Sequence, residues 1–161
     1  MKALYYIAVA EIVAYLALTI FRFKKIPKSI SDTYYQWSQV GNRFLFTAVM
    51  WAVGLPILIY WLSVSKTDLL QCCAFLSICG MLFVGGASAF KETLTKAVHF
   101  TSAGIWAFFA VLYFVLVGDW IALTCGGAVF FLVALILDNR HFTFWAEVAC
   151  IVAMIVGIFN L

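Results

Sequence analysis

Arg22-Phe23-Lys24-Lys25-Ile26-Pro27-Lys28-Ser29-Ile30-Ser31-Asp32-Thr33-Tyr34-Tyr35-Gln36-Trp37-Ser38-Gln39-Val40-Gly41-Asn42-Arg43 is the longest stretch of the chain that cannot sit in hydrocarbon. Half of the ten Lys and Arg residues lie in it. On either side the sequence turns apolar for about 20 residues, the length that crosses a hydrocarbon layer of about 30 Å. The stretch therefore reads as a loop between two membrane spans. Because loops rich in Lys and Arg stay in the cytoplasm, it also orients the chain.

The composition agrees. Of the 161 residues, 66% are hydrophobic and 11% charged, against roughly 45 to 50% and 25% in soluble domains. A soluble core of this size has no room for so many apolar side chains, whereas lipid removes the need for a polar exterior. One all-α integral membrane domain is expected. The net charge of +3 is small and sits in loops beside apolar runs. It suits anionic lipid headgroups at Arg22, Lys24, Lys25 and Lys28 and gives no nucleic-acid signal. The first apolar run reads as a retained span, since it contains Glu11, ends in a basic cluster and lacks a small-residue cleavage pattern.

Six stretches are long and apolar enough to span: 3–21, 44–64, 69–87, 98–117, 120–137 and 143–161. Residues 63–68, 118–119 and 138–142 form links so short that the neighbouring spans must run antiparallel. Arg22, Lys24, Lys25, Lys28, Arg43, Lys91, Lys96 and Arg140 then share one side, with only Lys2 and Lys66 on the other. That bias places the odd-to-even loops in the cytoplasm and both termini outside.

Within the first loop, Pro27 disfavours helix at Ile26. Ser29 or Ser31 offers an N-cap with Asp32 in the first turn, so a short helix restarts there. Tyr34, Tyr35 and Trp37 are expected at headgroup level. Pro56 predicts a kink in span two. Ala149, Ala153 and Gly157, four residues apart, form a smooth packing ridge inside the bundle or between subunits of a homo-oligomer. Cys72, Cys73, Cys79, Cys125 and Cys150 lie in apolar runs without metal-site spacing and read as packing residues.

Ionisable groups inside spans are costly and normally face protein or water. Glu11 lies about 12 Å into span one at about 1.5 Å per residue, with Tyr15 at i+4 as a hydrogen-bond donor. Both are candidates for ligand or proton-relay roles, and Glu11 is expected to face the bundle interior. Glu147 enters span six from the cytoplasmic side near the depth of His99, with Asp138 and His141 just outside. These four are expected to form a polar cluster, with Glu147 and His99 sharing a pocket. A hydrogen-bond network is the plainer reading, and neither a metal nor another cofactor is expected. The Gly-x-Ser-x-Gly elbow, the phosphate-binding Gly loop and the zincin histidine pair are all absent.

Three segments carry a resemblance: Ser29-Ile30-Ser31-Asp32-Thr33-Tyr34-Tyr35, then Phe83-Val84-Gly85-Gly86-Ala87 followed by Phe90-Lys91, then Val98-His99-Phe100 with Ala103. Together they resemble small polytopic membrane proteins encoded by gut bacteria and their bacteriophages or prophages. The likeness runs from Ser29 to span four, and departs where Ser88 replaces a usual proline. It implies six helices and a bacterial inner membrane, and no activity. The resulting reading is a non-enzymatic membrane protein that binds a lipid, small ligand or protein partner at its cytoplasmic face. The alternatives are a small proton-coupled transporter or channel using Glu11 and Glu147, and a membrane-embedded hydrolase using His99, Asp138, His141 and Glu147.

Overall fold

The computed structural model describes residues 2–87 and 92–161, the side chains of 92–96 excepted. Among these residues the chain is helical and contains no strand. Its elements are α1 (Lys2–Phe23), a short α2 (Thr33–Ser38), α3 (Leu45–Val64), α4 (Asp68–Gly86), α5 (Glu92–Val117), α6 (Trp120–Ala128) and α7 (Phe142–Phe159). Six stretches are long and apolar enough to cross a membrane, matching the six expected spans within a few residues. Ser88, Phe90 and Lys91 of the resemblance fall outside the described residues, as does the side chain of Lys96.

The fifth span holds a departure. It begins as α6 and continues as a π-helix over Val129–Leu137. Hydropathy cannot reveal this, because the segment is apolar on every side and carries no periodic marker. Only Ala134 of that segment is buried, while Phe131, Leu132, Leu135, Ile136 and Leu137 face outwards, as lipid-facing residues do.

Helix order follows chain order: α1 packs on α3, α3 on α4, α4 on α5, and α6 on α7. With apolar lipid outside, close van der Waals fit holds helices together, so small residues mark the seams. A Cβ on Gly80 of α4 would lie 2.7 Å from both the Ser102 carbonyl oxygen and the Trp106 backbone nitrogen of α5. One on Gly126 would lie 2.6 Å from the Ala153 Cβ, and one on Gly157 would strike the Phe114 ring. The ridge of Ala149, Ala153 and Gly157 is thus used inside the bundle. Trp61, fully buried, meets Tyr113 at 4.8 Å and stacks on Phe114 at 5.6 Å between centroids, a geometry that adds to dispersion. Pro56 lies within an unbroken α3.

The two-residue link at Gly118 turns on a φ of +72°, which glycine adopts without steric cost. All five cysteines are free thiols.

Candidate functional site

The basic loop does not float above the bundle. Lys24 ends α1 in the left-handed region, with φ 53° and its N–H donating to the Ile20 carbonyl at 2.8 Å. Three residues later comes the buried Pro27. Residues 29–38 then fold down as a strap across the basic end of the bundle. Ser29 Oγ accepts the Asp32 N–H at 2.9 Å and so closes the turn that leads into α2. The helix itself starts at Thr33 with Asp32 in the N-cap position and no side-chain cap, so neither Ser29 nor Ser31 caps it as expected.

Ile30, Thr33, Gln36 and Trp37 are buried by this folding. The Tyr15 hydroxyl donates to Thr33 Oγ1 at 2.6 Å, and Thr33 donates to the Ile30 carbonyl. Trp37 Nε1 donates to Thr19 Oγ1 at 3.0 Å, and its ring meets Phe23 edge-on at 5.3 Å. Trp37 is therefore a core residue rather than the expected headgroup anchor. Its N–H finds a buried acceptor, which is what an enclosed indole requires. Tyr35 stays exposed and Tyr34 half-buried.

The polar cluster at this end splits into two parts. Glu147 Oε2 accepts the Ile30 backbone N–H, and Glu147 Oε1 stands 4.0 Å from His99 Nε2. The same His99 nitrogen is 3.3 Å from Ser31 Oγ. Both side chains are largely enclosed, 17% and 14% exposed for His99 and Glu147 respectively. Glu147 and His99 thus share one pocket, but the strap mediates: each has its hydrogen bond to the loop and not to the other. The sequence reading missed Ser31 as a His99 partner and Ile30 as a Glu147 donor. A backbone N–H leaves no mark in a sequence.

Asp138 and His141 form the second part. Asp138 accepts from Trp145 Nε1 at 2.8 Å and faces His141 Nδ1 at 2.9 and 3.0 Å. The Trp145 hydrogen bond first, then that of His141, holds the Asp138 carboxyl below the usual range. This group closes the turn before α7. Among the described residues, no three His, Cys, Asp or Glu side chains gather closely enough to share a metal, so the expected four-residue cluster is two separate pairs.

Glu11 overturns the inward placement. The buried face of α1 is Tyr5, Ala8, Ile12, Tyr15 and Thr19, and Glu11 lies about 80° from its middle at about 100° per residue. The carboxylate is exposed, and among the described residues it has no hydrogen bond or ion pair. Tyr15 turns instead to Thr33. Glu11 lies in an open groove of about 390 Å³ between α1 and α3, walled by Ala14, Leu18, Leu45, Ala48, Val49 and Ala52, with Tyr15 also contributing.

No protein-family model, curated protein or solved structure matches this chain.

At the rim above the groove, Arg22, Lys24, Lys25, Lys28 and Arg43 are all exposed. Among the described residues none of them pairs with a carboxylate. Lys24 Nζ lies 3.9 Å from the Phe21 ring centroid, and the Arg43 guanidinium 4.6 Å from that of Phe44. These aromatic contacts hold the cations at the helix ends without neutralising them. A second void of about 10 Å³ lies in the middle of the bundle, lined by Met50, Met81, Met154 and aliphatic side chains. It touches neither glutamate.

Proposed function

We propose that this is a non-enzymatic protein of the bacterial inner membrane that binds an anionic lipid at its cytoplasmic face. The observation that carries the reading is the set of exposed cations on either side of a strap that is itself buried and hydrogen-bonded, none of them paired with a carboxylate among the described residues. A fixed loop presents charge in a fixed pattern, and each Lys or Arg near an anionic leaflet contributes about 1 kcal/mol.

The hydrolase alternative finds little support in the geometry. A nucleophile relay needs the acid on one imidazole nitrogen and the hydroxyl on the other, yet Ser31 and Glu147 both face Nε2 of His99. For transport, Glu11 and Glu147 would have to border one path. Glu11 opens sideways into the α1/α3 groove, whereas Glu147 is closed under the strap.

The test is the lipid that leaves the membrane with the protein. Material extracted in mild detergent is expected to carry phosphatidylglycerol in excess of its share of the membrane. Lys24→Gln/Lys25→Gln/Lys28→Gln should lose that excess while keeping its melting temperature. An unselective lipid shell around the wild-type protein would refute the reading.

A further inference from the structure

We infer that the α1/α3 groove holds one chain of the lipid bound at the basic rim, and that Glu11 selects a chain bearing a hydrogen-bond donor near its middle. This deepens the lipid-binding reading and rests on it.

One face of α1 carries Glu11, Ala14, Leu18 and Arg22 in steps of three and four residues, so these side chains follow one another along a line. Arg22 stands at the rim and Glu11 about 16 Å below it at about 1.5 Å per residue, close to mid-bilayer. Leu45, Ala48 and Ala52 supply the facing wall. The groove therefore joins a cationic headgroup site to a single acceptor in hydrocarbon. The alanines give it room for a chain lying parallel to the helices.

A lipid-facing carboxylate at such depth is among the costliest residues a span can carry, and lipid-exposed positions seldom hold one. A hydrogen-bond donor that enters the groove offsets part of that cost. The rim selects an anionic head, and Glu11 can accept only from a donor. A lipid with a negatively charged head and a hydroxyl midway down its chain meets both ends; a plain hydrocarbon chain meets one.

The experiment compares two phosphatidylglycerol probes, one with a chain hydroxylated near its middle and one with a plain chain, by native mass spectrometry of the intact protein. The wild type is expected to retain the hydroxylated probe about fivefold better, the equivalent of one net hydrogen bond of about 1 kcal/mol. Glu11→Leu should abolish this preference, and Glu11→Gln, which keeps an acceptor, should preserve most of it. Both should still retain phosphatidylglycerol over phosphatidylcholine. Equal retention of the two probes by the wild type overturns the inference, as does a preference that survives Glu11→Leu. A wild-type dimer that Ala48→Trp splits would also overturn it, by showing that a second copy fills the groove. Loss of all selectivity for phosphatidylglycerol in the wild type would instead overturn the underlying reading.

Discussion

Gly80→Leu should lower stability by about 3 kcal/mol or more, the upper range for overpacking, because the added side chain meets backbone and not a movable side chain. Even the Cβ would lie 2.7 Å from the Ser102 oxygen and the Trp106 nitrogen. Relief requires α4 and α5 to separate, and theirs is among the main helix contacts of the bundle. Thermal unfolding in detergent measures the effect, with Gly86→Ala as control on the same helix. A Cβ on Gly86 would meet nothing within 4 Å among the described residues, so the control should melt near the wild type. A Gly80→Leu protein as stable as the control would mean that α4 and α5 are not packed as described.

Glu147→Ala should release the strap, since it strips the Ile30 N–H of its acceptor. A buried donor left unsatisfied costs about 1 to 3 kcal/mol. Ser31→Ala and His99→Ala act on the same strap through the 3.3 Å contact, so each combined with Glu147→Ala should be non-additive. Hydrogen exchange reads this locally: amides 30–37 should lose protection in Glu147→Ala, while those of α4 keep theirs. Unchanged protection across residues 30–37 would show that Glu147 does not hold the loop.

Much of the architecture was legible because bilayer thickness constrains it strongly. Length and hydropathy alone located six spans, and the spacing of Ala149, Ala153 and Gly157 marked a seam that Gly126 and Phe114 fill. What failed was the sidedness of single residues. In a soluble helix the polar face points to water, but in lipid the inner and outer faces are equally apolar, so α1 carried no pattern to show that Glu11 flanks the buried stripe. The rule that intramembrane carboxylates face inwards then gave the wrong face. Trp37 misled for a related reason: an indole suits both the headgroup layer and a core with an acceptor, and Thr19 supplies the acceptor. Glu147 and His99 could be brought near each other by depth. Their actual partners, a backbone N–H and a serine read only as a cap, depended on how the loop folds.

Everything proposed for the rim requires the loop around Lys28 to face the anionic cytoplasmic leaflet. The most direct measurement is a pair of reporter fusions in living cells, one after Lys28 and one after Leu161. The account predicts a cytoplasmic signal from the first and an external signal from the second, in keeping with eight basic residues on the loop side and two on the other. The opposite pair of signals would turn the basic rim away from the cytoplasm and contradict the account at its base.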